Sequence, residues 1–135
     1  AIVDYAHNPD GIRAVYAAVR TFAAKRQIVL IGQAGDRADA DIRELAVRIA
    51  QEKPDVVIVK QMAALSRGRG ESDVQDLLIA EFLAQGLSHE QLYRADTDVN
   101  ATALALKLAQ PGDLLVLLVH AQRDAVIELL NAEAV

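Results

Sequence analysis

Four short apolar runs alternate with longer amphipathic segments along the 135 residues of this chain. The first run ends at residue 3, and the others are QIVLIG (27–32), DVVIVK (55–60) and DLLVLLV (113–119), with QLYRA (91–95) as a weaker candidate. Each strong run is apolar at consecutive positions, which is typical of strands covered on both faces of a parallel sheet. The pattern therefore predicts a sheet buried between two layers.

The segment after the first run predicts a helix with one buried face. Asn8 can cap this helix and Pro9 needs no N–H in a first helical turn, so the pair is a good start signal. The apolar positions that follow are three and four residues apart, from Ile12 through Tyr16 to Phe22, which places them on one face. A polar turn thus directly precedes a clearly marked helix start.

Four further segments have the same helical spacing of apolar residues: residues 42–49, a segment from the capping-box pair Ser72 and Gln75 to a stop at Gly86, residues 97–109 and residues 121–131. Strands and helices therefore alternate, with short connections between them. This alternation predicts a three-layer, Rossmann-like α/β fold for residues 1–135 as one domain. We expect an open, mainly parallel sheet with helices on both faces.

Composition narrows the classes of partner. The formal net charge is -5 and the sequence pI is about 5.1, which disfavours nucleic acid because phosphate binding needs a basic surface. The chain has no cysteine, so a disulfide scaffold and a cysteine-ligated metal are excluded. No apolar run approaches the roughly 20 residues that span a bilayer, and no signal peptide precedes the first run. We expect a cytoplasmic protein with no membrane partner.

Three polar loops, residues 4–10, 32–41 and 60–72, follow three of the predicted strands. Ligands of open parallel sheets bind outside the carboxyl ends of the strands, so these loops predict a binding site at one edge. In the first loop, Asp4 can accept two hydroxyl hydrogen bonds, as a ribose diol requires, and His7 can hydrogen-bond or stack. An exposed Asn-Pro cap with an incidental histidine explains the same residues equally well.

The second loop contains the segment GQAGDR (32–37). Its two glycines allow close approach of a ligand to the backbone, and Arg37 offers a planar fork for a phosphate or a carboxylate. Both GxxxxGK[ST] and GxGxxG are absent, so the loop alone supports neither a nucleotide triphosphatase nor a dinucleotide dehydrogenase. The aspartates of this loop lack EF-hand spacing, and capping of the next helix by Asp39 or Asp41 is the better explanation.

The third loop contains SRGRGES (66–72), in which Arg67 and Arg69 can hold an anionic group. A solvated surface loop is the alternative reading of these two arginines. His120 ends the last strand, where a site role and simple capping or packing fit equally well, and His89 is expected to be exposed. The sequence has no HExxH motif and no Ser-His-Asp order, so it predicts neither a metal site nor a complete catalytic centre.

Several of these segments, taken in order, resemble one known family. VDYAHNPDG, GQAGDRADADIREL, PDVVIVK, LSRGRGES and PGDLLVLL resemble the C-terminal domain of Mur ligases, which form amide bonds. Within that family the combination is most similar to the C-terminal part of cyanophycin synthetase, which builds a polymer with an aspartate backbone and arginine side groups. The resemblance covers essentially the whole chain and implies a domain that follows a central ATPase domain.

The resemblance also implies roles for the first two polar loops. Asp4 would hold the ribose of ATP, His7 and Asn8 would lie near the nucleotide, and Arg37 would face the phosphates or a substrate carboxylate. In this family ATP phosphorylates a carboxylate, and an amine then attacks the acyl-phosphate. The phosphate-binding loop and the magnesium site belong to the central domain. We therefore expect this chain to be an inactive fragment of a larger ligase.

By the same resemblance, Arg67 and Arg69 would face the acceptor amino acid. The preceding Lys60-Gln61-Met62 stands where cyanophycin synthetase is usually acidic, which argues against arginine as that amino acid. Tripeptide-forming peptidoglycan ligases carry Asp-Asn-Pro-Arg there and Lys-Gly-His-Glu after the last strand, where this chain has His120-Ala-Gln. Lysine- or diaminopimelate-adding activity is therefore not expected. The alternative from another class is a stand-alone, non-catalytic nucleotide- or anion-binding module.

Overall fold

The computed structural model describes residues 1–33, 37–62, 70 and 72–133. Within them, a sheet is formed by the five strands Ile2–Asp4 (β1), Arg26–Ile31 (β2), Val56–Lys60 (β3), Leu92–Ala95 (β4) and Asp113–Leu118 (β5). The strand order is β1-β5-β2-β3-β4, and every pairing is parallel. The parallel sheet predicted from the apolar runs is confirmed, and the weak run becomes the edge strand β4.

The five long helices cover both faces of this sheet. They are Pro9–Val19 (α1), Asp39–Ala50 (α2), Asp73–Ala84 (α3), Asp98–Leu108 (α4) and Arg123–Glu133 (α5). Because side chains alternate along a strand, Val29 and Ile31 of β2 pack on the side of α1, α2 and α3. Their neighbours Ile28 and Leu30 pack on the opposite side, with α4 and α5. The predicted three-layer architecture is confirmed.

The order of the strands places β5, the last strand in the chain, between β1 and β2. From β2 to β4 each strand lies beside its predecessor, and helices α2 and α3 cross on one face. The connection through α4 runs back across the sheet, and it lies on the other face because right-handed crossovers in opposite directions use opposite faces. The carboxyl ends of β1, β5, β2 and β3 are therefore neighbours along one edge.

Two of the predicted helix signals are confirmed in detail. Asn8 is the N-cap residue of α1, and its side-chain oxygen accepts a hydrogen bond from the N–H of Gly11 at 2.8 Å. Gly86 follows the end of α3 with φ of +104°, a left-handed backbone conformation that favours glycine. Both signals are local, because the residue itself satisfies the helix terminus.

Two local predictions, for Phe22 and for the capping box of Ser72 and Gln75, are wrong. Phe22 lies beyond the end of α1 and is 55% exposed, because the helix stops at Val19. Ser72 is the N-cap residue of α3 but makes no capping hydrogen bond. The partner expected for it, Gln75, is buried and donates from Nε2 to the carbonyls of Val59 at 2.9 Å and Ala95 at 3.0 Å. Gln75 therefore joins the ends of β3 and β4 instead of completing a capping box.

The start of α2 also differs from the prediction. Ala38 occupies the N-cap position, and Asp39 and Asp41 lie in the first turn of the helix. The prediction that one of these aspartates is the capping residue is therefore wrong, although negative charge in a first turn is favoured by the helix dipole. Among the described residues, no helix is long and apolar enough to cross a membrane.

Candidate functional site

The first group of predicted site residues consists of Asp4 and the turn that follows it between β1 and α1 (residues 5–8, called the nucleotide turn after the ligand predicted there). Asp4 ends β1, and its Oδ1 accepts a hydrogen bond from the N–H of Ala6 at 2.9 Å. Its carboxylate is exposed, whereas Ala6 is buried beneath the turn. The structure thus presents a carboxylate with one anchored oxygen to solvent, close to the positive end of α1.

His7 and Asn8 lie in the nucleotide turn, shortly after Asp4, the residue predicted to hold ribose. Asn8 uses its side-chain oxygen to cap α1, so this oxygen is already engaged. The ring of His7 is half-buried, with Nδ1 3.4 Å from the carbonyl oxygen of Tyr5. The structure therefore brings Asp4, His7 and Asn8 together, and the ligand contacts of all three stay predictions.

A buried glutamine connects the nucleotide turn to β2. Gln33, two residues after that strand, donates a hydrogen bond from Nε2 to the carbonyl oxygen of His7 at 2.6 Å. Its neighbour Gly32 is packed against the side chain of Lys60, where a β-carbon would lie 2.7 Å from Cγ and 2.9 Å from Cε. Glycine is needed here because the neighbouring lysine crosses directly over it. The sequence prediction assigned Gly32 to close approach of a ligand, but the side chain of Lys60 occupies that space, and the role of Gln33 was not predicted.

His120 joins the end of β5 to the nucleotide turn. Its Nε2 lies 2.9 Å from the carbonyl oxygen of Ala6, and because a carbonyl only accepts, Nε2 carries the proton. Burial, aided by the nearby charge of Lys60, lowers the pKa of His120 to about 4, so the ring is neutral near pH 7. The exposed ring of Tyr5 makes edge contacts with His120 and His7, with centroids 5.2 and 5.5 Å away.

A buried ion pair lies behind these loops, and sequence reasoning missed it. Lys60, the last residue of β3, donates from Nζ to the carboxylate of Asp98 in the first turn of α4 and to the carbonyl of Leu118 at 2.8 Å. The two side chains are 1% and 2% exposed. Burial would raise the pKa of Asp98, but the hydrogen bond from Lys60 and its charge, with backbone N–H groups, outweigh that effect and lower it.

The other residues predicted to bind a ligand are Arg37, Arg67 and Arg69. Arg37 is exposed between the end of β2 and α2, and its proposed contact with phosphate or carboxylate stays a prediction. Arg67 and Arg69 lie outside the described residues. His89 is exposed in a short 3-10 turn, His89–Gln91, as expected. Across the described parts of the chain, no group of three or more His, Asp or Glu side chains is arranged to hold a metal ion.

Comparison with known proteins identifies the family of this α/β domain. The family model for the glutamate ligase domain of Mur ligases matches residues 1–119. The chain belongs to this family. The match covers the nucleotide turn and all five strands, so the family predicted from the ordered sequence motifs is confirmed.

Individual relatives of this Mur ligase domain agree with the family assignment. The UDP-N-acetylmuramoyl-L-alanyl-D-glutamate--L-lysine ligases of Staphylococcus aureus (strain COL) and Staphylococcus epidermidis (strain ATCC 35984) are each 32% identical over 116 residues. These alignments cover 86% of this chain but 22% of each relative. The activity, substrates and partners of a whole ligase are therefore proposals for this chain.

A solved structure titled as a UDP-N-acetylmuramoyl-L-alanyl-D-glutamate--2,6-diaminopimelate ligase has the same fold as this Mur ligase domain. Its TM-score is 0.69 at 19% sequence identity, and the match covers 97% of this chain and 29% of the other. These relatives carry names of lysine and diaminopimelate ligases, so the particular similarity to cyanophycin synthetase stays a prediction.

Proposed function

We propose that this chain is the C-terminal nucleotide- and amino-acid-binding domain of an ATP-dependent ligase that joins a carboxylate to the amino group of an amino acid. Family membership supports the general class of reaction. The observation that carries the proposal is the exposed carboxylate of Asp4, anchored by Ala6 beside the start of α1. A carboxylate in this position can accept the two hydroxyl groups of a ribose diol.

The chemistry divides between this domain and another part of the same polypeptide. ATP supplies a phosphoryl group that activates the carboxylate, and the amino group of the second substrate then displaces phosphate to form the amide. In this proposal Asp4 and His7 orient the nucleoside, while Arg37 balances negative charge on phosphate or carboxylate. Magnesium would accompany ATP, and by the family resemblance it would be held mainly by a central ATPase domain of the same polypeptide.

The identity of the amino acid that is added is the more specific part of the proposal. We assign Arg67 and Arg69 to its recognition, with a cyanophycin synthetase-like acceptor as the first candidate. The order of RGRGE and PGDLLV supports this candidate, and His120-Ala-Gln in place of Lys-Gly-His-Glu argues against addition of lysine or diaminopimelate. Lys60-Gln61-Met62, which stands where cyanophycin synthetase is usually acidic, argues against arginine as the amino acid. The proposal includes a cytoplasmic location, where ATP is available.

The test is substrate-dependent ADP formation by the full-length native polypeptide with arginine, aspartate, lysine or diaminopimelate, each with its matching carboxylate acceptor. Activity with aspartate or arginine supports a cyanophycin synthetase-like ligase. Activity with lysine would instead support a lysine-adding ligase, as the names of the staphylococcal relatives describe. Replacing both Arg67 and Arg69 by Ala should raise the KM for the amino acid more than the KM for ATP. Nucleotide binding without amide formation would instead indicate a non-catalytic nucleotide-binding module.

A further inference from the structure

One carboxylate organises the turn between β5 and α5 (residues 119–122, the β5–α5 turn). Oδ2 of Asp98 accepts hydrogen bonds from the N–H groups of His120 at 3.2 Å, Ala121 at 2.8 Å and Gln122 at 3.0 Å. These three donors directly precede α5, which begins at Arg123. Asp98 therefore fixes three successive residues of the turn through a single oxygen.

Lys60 holds this carboxylate from the other side. Its ammonium contacts Oδ1 of Asp98 and the carbonyl of Leu118, so the lysine reaches from β3 past β2 to β5. The stem of the lysine passes over Gly32 at the end of β2. The carboxylate of Asp98 therefore carries a negative charge that the ammonium of Lys60 balances. It is held in one orientation between the sheet and α4.

A second hydrogen bond connects the start of α4 with the turn before α5, and here the turn supplies the acceptor. The side-chain oxygen of Gln122 accepts a hydrogen bond from the N–H of Val99 at 3.0 Å, in the first turn of α4. Asp98 of α4 thus holds the turn before α5, while Gln122 of that turn holds the start of α4. These reciprocal contacts allow little displacement of the β5–α5 turn relative to the sheet.

The β5–α5 turn contacts the nucleotide turn on two sides. Val119 donates its N–H to the carbonyl of Asp4 at 2.9 Å, and Nε2 of His120 donates to the carbonyl of Ala6 at 2.9 Å. The two carbonyls belong to the residues on either side of Tyr5. Asp4 itself carries the proposed ribose-binding carboxylate, and His7 directly follows Ala6. Any displacement of His120 is transmitted directly to the backbone that presents these groups.

We propose that Asp98 is a positioning residue for the nucleotide half of the site, acting through the β5–α5 turn and His120 on the backbone of Asp4 and Ala6. The inference rests on the proposed function. Packing alone does not explain the cluster, because an apolar pair of similar volume could join the layers but could not hold three N–H groups. An acceptor at this position is what fixes the turn.

The test uses variants of the full-length ligase at two linked positions. Asp98→Asn removes the negative charge and so weakens the contacts with Lys60 and with the β5–α5 turn. It should raise the KM for ATP about tenfold. The change in kcat should be smaller, and the KM for the amino acid should stay the same. His120→Leu removes the donor to Ala6 and should raise the KM for ATP in the same way. His120→Gln keeps an N–H donor and should restore most of the affinity for ATP.

Thr97→Ala is the matched control for loss of stability. Thr97 caps α4 by accepting the N–H of Asn100 at 3.0 Å, and within the described part of the chain its side chain has no hydrogen bond to the β5–α5 turn. This variant should lower the melting temperature without changing the KM for ATP. The melting temperature and the KM for ATP of each Asp98 and His120 variant are compared with those of Thr97→Ala. This comparison separates a general loss of stability from an effect on the nucleotide turn.

The possible outcomes distinguish this inference from the function on which it rests. If the wild-type ligase does not bind ATP, the proposed function fails and this inference fails with it. If the wild type binds ATP and Asp98→Asn only resembles Thr97→Ala, the inference alone is overturned. Should Asp98→Asn fail to fold, the two His120 variants decide the question, and equal KM values for Leu and Gln would overturn it.

Discussion

The ammonium of Lys60, at the end of β3, is paired with the carboxylate of Asp98, in the first turn of α4, and both side chains are almost completely buried. The residues are 38 positions apart in the chain and belong to different layers of the fold. Because the same carboxylate also accepts three backbone N–H groups, the pair is a junction between the sheet, α4 and the turn before α5.

The first prediction concerns the stability of this junction. Asp98→Ala should lower the free energy of unfolding by about 3–5 kcal/mol, because it leaves a buried ammonium and three N–H groups without their acceptor. The control is Asp76→Ala, which removes the exposed partner of Arg94 and should change stability by about 0–1 kcal/mol. Chemical denaturation measures both, and similar losses for the two variants would rule out a special role for the buried pair.

The second prediction is a pH dependence of stability caused by His120. Its folded-state pKa of about 4 lies below the ordinary value of 6.5, so between these values the unfolded chain binds a proton that the folded chain does not. Stability from this group is complete above pH 6.5 and decreases as the pH falls towards 4. The loss between pH 7 and 5 should be about 2 kcal/mol.

Denaturation at pH 7 and pH 5 provides the measurement for this second prediction. His120→Gln keeps an N–H donor but has no titratable group, so the variant should lose about 2 kcal/mol less than the wild type between the two pH values. His89→Gln removes an exposed imidazole and should behave as the wild type does. A His120→Gln variant with the full pH dependence of the wild type would show that another group is responsible.

The third prediction tests the close packing of Lys60 over Gly32. A β-carbon at position 32 would lie 2.7 Å from Cγ of Lys60 and 3.2 Å from its carbonyl oxygen. Gly32→Ala should therefore lower the free energy of unfolding by about 1–3 kcal/mol. In a Lys60→Ala background the same substitution should be less harmful, because the crowding side chain has been removed.

Gly86 supplies the control for this double-mutant comparison. It has a positive φ of +104° and no atom within 4 Å of a built β-carbon, so Gly86→Ala is opposed only by backbone strain of about 1–2 kcal/mol. That loss should be the same with Lys60 or Ala at position 60. Additive effects of Gly32→Ala and Lys60→Ala would refute direct crowding between these residues.

The architecture was predictable because its signals are local and repeated. Consecutive apolar residues in β2, β3 and β5 reflect burial on both faces, and Asn8 with Pro9 marks a helix start within two residues. Phe22 shows where such periodicity fails. The spacing continues past Val19, but the helix ends there and the ring faces solvent.

The candidate site was predictable only in part, for a different physical reason. Asp4 and the nucleotide turn form one continuous stretch of sequence, so Asp4, His7 and Asn8 could be grouped without knowing the fold. Lys60 and Asp98 meet only after β3, α4 and β5 have packed together. A lysine ending the apolar run DVVIVK was the one available signal, and nothing near it in the sequence identified its partner.

The most direct test of the account is the effect of Asp4→Ala on ATP use by the full-length ligase. Asp10→Ala is the control, since Asp10 is an exposed acid in α1 whose contact is with Arg13. Asp4→Ala should raise the KM for ATP by the equivalent of roughly 1.5–3 kcal/mol, because a charged acceptor of two hydroxyl groups is lost, while the protein stays folded. A KM for ATP equal to that of the wild type and of Asp10→Ala would contradict the placement of nucleotide at this turn.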